Sequence, residues 1–283
     1  MGTFRGSARG RLTPLPIEKG PFLKDFIQYL KELWRRKDLL WYLVTSGLKA
    51  DTRNTLLGYF WWLLDPFLMV VVFLFVRAVF EGSANPEDIR FLTVGLVVFQ
   101  VFSKSMTMAS TSITSKAGLI TQVYLPKAIF PFGVVLTELI NFLFSLGTVF
   151  VILLIFRVQP TVNLLWLPYL VLVQTLFYTV IALVVAYAAS FVRDLGNILG
   201  YLTFVLRFAT PVIWETERIP QDMRWLVEII PVSWILTDYR NVLLYGLAPD
   251  WVRLAGLGLV SGVFIVLLLL FYTYKEHGIV KVL

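Results

Sequence analysis

Apolar runs long enough to cross a bilayer recur along the chain between residues 59 and 273. A spanning helix needs about 20 apolar residues, because each residue advances it by about 1.5 Å across about 30 Å of hydrocarbon. Irregular backbone is costly in lipid, so the polar breaks belong at the membrane surface or inside protein. We therefore predict an all-α membrane protein with six transmembrane helices, at residues 59–80, 91–113, 129–156, 166–191, 197–214 and 252–273.

The residues before the first span form a different pattern. Over 21–37, aromatic and leucine side chains recur at helical spacing with Lys and Arg on the other faces, which is typical of a helix lying in the inner headgroup plane. An ordinary soluble amphipathic helix is the alternative. Residues 38–50 are apolar but too short to cross, so we predict one interfacial amphipathic segment over 21–58. Residues 1–20 lack the apolar core of a signal peptide and are predicted to be a flexible cytoplasmic tail.

The segment 215–251 precedes the last predicted span and contains two apolar stretches separated by Pro231. Neither stretch is long enough to span a bilayer. We predict short re-entrant helices in the outer leaflet, which commonly line a transport pathway. A compact extracellular helical hairpin is the alternative.

Composition supports a membrane domain. Of 283 residues, 58% are hydrophobic and only 15% are charged, against about 25% charged in soluble proteins. The net charge is +7, and 11 of the 25 Lys and Arg precede residue 60. With the N-terminus inside, 16 Lys and Arg lie in inner segments and seven in outer ones. This bias favours cytoplasmic N- and C-termini, the latter a tail over 274–283, and argues against nucleic-acid binding.

Several kinds of chemistry are excluded by what the sequence lacks. It has no Cys and one His, His277, which lies in the charged stretch Lys275-Glu276-His277 and which we interpret as a solvated surface residue. Disulfides and Cys- or His-rich metal sites are therefore excluded. No catalytic constellation is visible. The Walker A pattern G-x-x-x-x-G-K-[ST] does not occur, so we expect this chain to bind no cofactor and any ATP and Mg to lie on a separate subunit.

Four stretches share the motifs of a known family. They are RNTLLGYFWWLLDP at 53–66, LITQVYLPK at 119–127 followed by Pro131, FVRDL at 191–195 followed by Thr210-Pro211-Val212, and PVSWILTDYRN at 231–241. In order and in placement against the predicted spans, they resemble the ABC-2 type permeases, especially the subunits that export polysaccharides and teichoic acids. The resemblance covers roughly residues 40–275. Asp65 stands where the family more often has Asn, and we assign it no separate role.

The resemblance implies a homodimer in the bacterial plasma membrane, bound to two cytoplasmic ATPase subunits. It further implies export of a lipid-linked anionic polymer, for which we favour wall teichoic acid. O-antigen or capsular polysaccharide is the alternative, and an ABC-2 exporter of drugs or small lipids is another. A membrane-embedded glycosyltransferase or phosphatase would need convergent acids or a metal site, which the sequence does not show.

The loop over 114–128 is the predicted lever between the ATPase and the spans, because the resemblance places a coupling helix there. Two prolines, Pro126 and Pro131, stiffen its link to the third span. A plain solvated loop is the alternative. The candidate contact residues are Ser115, Lys116, Gln122, Tyr124 and Lys127.

Three ionisable residues fall inside predicted spans: Lys104, Glu138 and Arg207. Each costs about 2.5–3.5 kcal/mol on insertion scales and usually faces a partner or a wet cavity. Counted from the inner ends of their spans, all three lie at about 14–15 Å depth. A charged cluster or pore ring with excess positive charge would suit a phosphate-bearing substrate. Purely structural pairing is the alternative.

Aromatic residues make up 16% of the chain. Some belong to interface belts, whereas others could line a channel along which sugars slide. Packing or lipid contact is the alternative for each. The candidate pathway aromatics are Phe60, Trp61, Phe99, Phe102, Phe208 and Trp214.

Overall fold

A computed structural model describes residues 22–52, 55–82, 85–216 and 220–280. The predicted tail over 1–20 lies outside these ranges, as does Arg53 of the first motif. The helices in chain order are α1 Phe22–Arg35, α2 Lys37–Thr52, α3 Trp61–Glu81, α4 Pro86–Ser112, α5 Ala117–Ile120, α6 Ile129–Ile155, α7 Leu167–Phe191, α8 Leu195–Ala209, α9 Arg224–Glu228, α10 Pro231–Arg240 and α11 Trp251–Val280.

Within the described residues, four helical stretches are long and apolar enough to cross a membrane: Pro86–Ser112, Ile129–Ile155, Val162–Phe191 and Trp251–Glu276. They agree with the predicted second, third, fourth and sixth spans. The regions of the first and fifth spans contain shorter apolar helices, Trp61–Val76 and Leu195–Ala209. The all-α class and the four long helices are confirmed, and a count of six spans stays a prediction.

The connection between α3 and α4 shows why the helices stop and start where they do. After α3, Gly82 adopts a left-handed conformation (φ 75°), which costs glycine little and ends a helix. Before α4, the Asn85 backbone N–H donates to Asp88 Oδ2 at 3.1 Å, and Pro86 occupies the first turn. This capping box satisfies backbone donors that a helix start leaves unpaired.

The centre of the bundle is α4, which packs against α3, α6, α7, α8 and α10. Most of its residues between Phe91 and Phe102 are buried in one apolar core shared with these neighbours. Helix α11 packs mainly on α7 and leaves much of its apolar surface exposed. A long helix with an exposed apolar face is what a lipid-facing span requires.

The predicted interfacial segment contains two helices. Helix α1 rests on α11 and α2, while α2 packs along α6. Trp34 on α1 is 78% exposed, and Trp41 and Tyr42 on α2 are also exposed. Exposed Trp and Tyr beside basic residues fit a headgroup-level position.

The prediction for 197–214 is wrong at its outer end. Helix α8 stops at Ala209, and Thr210-Pro211-Val212 forms a turn, because Pro211 has no N–H to continue the helix. Trp214 therefore lies outside the helix. Helices α9 and α10 are separated at Pro231, where the sequence analysis divided the segment 215–251. Helix α10 is packed against α4 and α7, with Tyr239 and Arg240 buried.

The C-terminal boundary also differs from the prediction. The expected tail over 274–283 continues α11 as far as Val280. Glu276, which precedes His277 in this expected tail, is completely buried.

Candidate functional site

Charged residues on α3, α4 and α8 form a cluster at the side of the bundle. Lys104 Nζ lies 3.4 Å from Asp65 Oδ2, and Gln100 Nε2 donates to the same oxygen at 2.5 Å. Arg207 lies over the Phe99 ring and donates a hydrogen bond to the Met69 sulfur at 3.6 Å. It also interacts electrostatically with the Asp65 carboxylate. The side chains of Lys104 and Asp65 are 42% and 46% exposed. The cluster thus opens away from the core, with two cations and one carboxylate.

This geometry corrects the predicted set in two ways. Asp65, to which the sequence analysis gave no separate role, is the acid paired with Lys104, and it also interacts electrostatically with Arg207. Glu138 does not join them in the described structure. It is buried on α6, where Asn141 Nδ2 lies 3.5 Å from its Oε1. The common depth of Lys104, Glu138 and Arg207 was thus insufficient to place them together, because depth does not fix which face of a helix points where.

Glu138 instead lines a cavity of about 280 Å³ between α2, α4 and α6. Its walls include Ser115 and Lys116 of the predicted coupling loop and Thr137 beside Glu138. The cavity therefore connects a residue assigned to the pathway with residues assigned to ATPase coupling.

The candidate aromatics divide by burial. Phe99 and Phe102 are 1% and 4% exposed and pack on each other with ring centroids 5.6 Å apart. In this structure they belong to the core, and a place for them along a channel stays a prediction. Phe60, Trp61 and Phe208 are exposed. Trp214 is partly buried, and its indole N–H donates to the Phe208 carbonyl at 2.8 Å, holding the turn against the end of α8.

The predicted coupling loop is mostly accessible. After α4, a 3-10 turn over Thr114–Lys116 leads into α5, and Ser115, Lys116 and Gln122 are exposed. Tyr124 lies at the border of exposure and donates to Glu276 Oε1 at 3.0 Å.

Lys127 departs from the expectation of direct partner contact. It is 2% exposed, and its Nζ lies 3.7 Å from Glu276 Oε1 and over the Tyr124 ring. Burial lowers the pKa of Lys127, while the Glu276 carboxylate acts in the opposite direction. A buried, paired cation cannot reach another protein, so Lys127 could act only by holding the loop.

At the other end of the bundle, Arg240 connects two of the sequence motifs. Its guanidinium donates to the carbonyls of Pro211 and Val212, the latter at 2.7 Å, and to Phe91 on α4 at 3.3 Å. It also lies over the Phe91 ring, 3.5 Å from the centroid. The fourth motif thereby holds the turn of the third motif against the central helix.

Neighbouring Asp238 is also fully buried. Arg253 Nη2 lies 3.4 Å from its Oδ2, and the Asp250 backbone N–H donates to Oδ1 at 3.1 Å. This pair fixes the start of α11 to the end of α10. Among the described residues, no three acidic or histidine side chains are grouped so that they could hold a metal ion.

Sequence reasoning did not identify Asp65, Gln100, Tyr29 or Glu276. A signal existed for the first two, since Asp65, Gln100 and Lys104 are polar residues in otherwise apolar spans. For Glu276 no local signal existed, because its hydrogen-bond donors lie up to 247 residues away.

Comparison with known proteins agrees with this architecture. The chain is 30% identical over 237 residues to the O-antigen export system permease protein RfbA of Myxococcus xanthus, covering 83% of this chain and 91% of that protein. It is 23% identical over 210 residues to the protein of the same name from Klebsiella pneumoniae, covering 74% and 81%. The sequence model described as "ABC-2 type transporter" matches residues 38–244, from α2 to the turn after α10. The chain belongs to the ABC-2 type transporter family.

Proposed function

We propose that this chain is the membrane subunit of an ATP-driven exporter for an O-antigen-type polysaccharide carried on a lipid. The observation that carries the proposal is the 30% identity to the Myxococcus xanthus O-antigen export permease across 91% of that protein. The match extends over nearly the whole length of that relative and is not confined to one segment. The sequence analysis preferred wall teichoic acid as the substrate. The match favours the alternative, O-antigen.

The charged cluster supports a role in handling phosphate. Lys104 and Arg207 outnumber Asp65, and the cluster is open at the side of the bundle. Local positive charge in a poorly hydrated site attracts phosphate oxygens, and a guanidinium can bind two of them. We assign this contact to the phosphate groups of the lipid carrier, since a neutral sugar chain would not require the excess charge.

A homodimer would explain why this charged cluster lies within an apolar surface. The sides of α3 and α8 around it expose large apolar residues, including Val72, Phe75, Tyr201 and Phe204. A charged group facing lipid is costly, whereas one facing an aqueous route between two copies is not. In this arrangement, the exposed Phe60, Trp61 and Phe208 lie near the route and offer faces for sugars.

The ATPase subunits, one for each copy, would bind at Ser115, Lys116, Gln122 and the exposed part of Tyr124. This places the loop 114–128 and both termini in the cytoplasm, with the chain in the plasma membrane as the charge bias indicates. ATP and Mg would be bound by those subunits, and movement of the loop would alter the packing of α4 and α6.

Depletion of the chain in its native host tests the function. We expect surface polysaccharide to fall and lipid-linked polymer to accumulate on the cytoplasmic side. Chemical analysis of the accumulated material distinguishes the two candidate substrates. Repeating sugar units would support O-antigen export, whereas polyol phosphate would support teichoic acid export instead. Unchanged surface polymer without internal accumulation would reject export as the function.

Variants of Arg207 test the cluster. Arg207→Ala should reduce export while the complex still assembles, and Arg207→Lys should retain more export because it keeps the charge. Normal export by Arg207→Ala would remove this residue from the pathway.

A further inference from the structure

Glu276 near the end of α11 collects donors from two distant parts of the chain. Its Oε2 accepts the Tyr29 hydroxyl and the Lys127 backbone N–H, each at 2.9 Å. Its Oε1 accepts the Tyr124 hydroxyl at 3.0 Å and lies 3.7 Å from Lys127 Nζ. One carboxylate therefore joins α1, the loop before α6 and α11.

The surroundings make this junction stiff. The Ala128 N–H lies 3.4 Å from the Tyr29 hydroxyl, and an apolar cluster that includes Ile129 and Ile279 encloses the polar groups. Burial beside the Glu276 carboxylate raises the pKa of Tyr29 and Tyr124, so both hydroxyls stay protonated donors. Since water cannot replace lost partners there, separating the segments would leave a buried charge unpaired.

A second buried contact near the end of α11 connects this helix to a different part of the protein. Tyr272, one turn before Glu276, donates its hydroxyl to the Leu183 carbonyl on α7 at 2.8 Å. Tyr272 therefore fixes α11 to the transmembrane bundle, while Glu276 fixes it to the loop and to the surface helix α1. Both residues are buried hydrogen-bonding side chains on α11, but they bind different segments of the chain.

We propose that Glu276 is a positioning residue that makes the loop, α1 and the end of α11 move as one unit when ATP binds. The inference rests on the proposed function, since it requires an ATPase to displace the loop. Movement at the loop would then reach a helix at the membrane surface and a spanning helix together, in addition to α4 and α6.

Three Tyr→Phe substitutions in the complex with its ATPase provide matched variants. Tyr29→Phe and Tyr124→Phe each remove one hydroxyl from Glu276, whereas Tyr272→Phe removes a comparable hydroxyl from a backbone carbonyl. We expect the first two to lower polymer exported per ATP hydrolysed by about 2- to 30-fold, the range for residues that couple sites. Tyr272→Phe should leave this ratio unchanged, even if it lowers the amount of complex.

Equal ratios in all three variants and the wild type would overturn the role of Glu276. If the wild-type chain itself bound no ATPase or exported no polymer, the proposed function would be refuted instead. The ratio separates coupling from folding, because loss of folded protein lowers export and hydrolysis together.

A distance measurement tests the rigid unit directly. The chain has no Cys, so spin labels can be placed by Gln28→Cys on α1 and Val123→Cys in the loop, both exposed. We expect the distance between the labels to stay the same when ATP binds, and to change in the same experiment with Glu276→Gln. A distance that changes in the wild type, or that stays fixed with Glu276→Gln, would contradict the proposal.

Discussion

Gly95 on α4 provides a direct test of how Arg240 holds the turn that follows α8. A methyl group at this position would overlap Arg240 Nη2 and lie 2.5 Å from the Val212 carbonyl oxygen. Both atoms belong to the contact that fixes the turn after α8 against α4. Replacing Gly95 by Ala should therefore push the guanidinium away from at least one of its carbonyl acceptors.

The cost can be bounded from these contacts. Overpacking a tight site costs about 1–3 kcal/mol, and a hydrogen bond from a charged donor contributes about 1.5–3 kcal/mol. Alanine in a helix returns about 0.5–1 kcal/mol relative to glycine. Adding the two losses and subtracting this gain, we expect Gly95→Ala to lower the free energy of unfolding by about 1.5–5.5 kcal/mol.

Gly256→Ala on α11 is the matched control, because the methyl group it would add points into open space beside the helix. It should be neutral or gain up to about 1 kcal/mol. Denaturant unfolding of both variants in detergent micelles gives the difference. If Gly95→Ala unfolds at the same denaturant concentration as Gly256→Ala, Arg240 does not hold the turn as described.

Three further variants test the other contacts. Lys127→Met should lower the free energy of unfolding by about 3–5 kcal/mol, because it leaves the Glu276 carboxylate buried without its cation. The double variant Lys127→Met, Glu276→Gln should recover part of this loss. If denaturant unfolding shows that the loss in the double variant equals the sum of the losses in the two single variants, Lys127 and Glu276 are not coupled. Lys116→Glu should reduce polymer-coupled ATP hydrolysis at unchanged thermal stability, because Lys116 is exposed; wild-type coupling would exclude it as an ATPase contact. Trp34→Ala should change the free energy of unfolding by less than about 0.5 kcal/mol, as expected for a side chain 78% exposed; a larger loss would mean that Trp34 packs against protein.

The long helices could be predicted from sequence because their signal is local. Helices α6 and α7 begin within one residue of the predicted spans, since a run of apolar side chains and the prolines near its start determine both length and boundary. Helix α4 begins five residues before its prediction. Its first turn is polar, and the capping interaction between Asn85 and Asp88 creates the start rather than apolarity.

The polar contacts could be predicted only in part, because they join residues far apart in the chain. Lys104 was recognisable as a costly charge in a span, but its partner is 39 residues away on another helix. Glu276 lies between Lys275 and His277 in a charged stretch of sequence, and its contacts with α1 and the loop accompany complete burial. Hydrophobic periodicity states which face of one helix is apolar, and it contains no information about which helix covers that face.

The fifth predicted span illustrates how the two kinds of information combine. Helix α8 has 15 residues and rises about 22 Å, which is short of the about 30 Å hydrocarbon layer. Its apolar sequence continues beyond Ala209, but Pro211 breaks the helix and leaves carbonyl groups that no helical N–H can satisfy. Arg240 of α10 supplies donors to the carbonyls of Pro211 and Val212, which lie 29 and 28 residues earlier in the chain. A short α8 is therefore compatible with a membrane-embedded position only while Arg240 of α10 stays bonded to the turn that follows α8, so the motifs at 210–212 and 231–241 act as one structural unit.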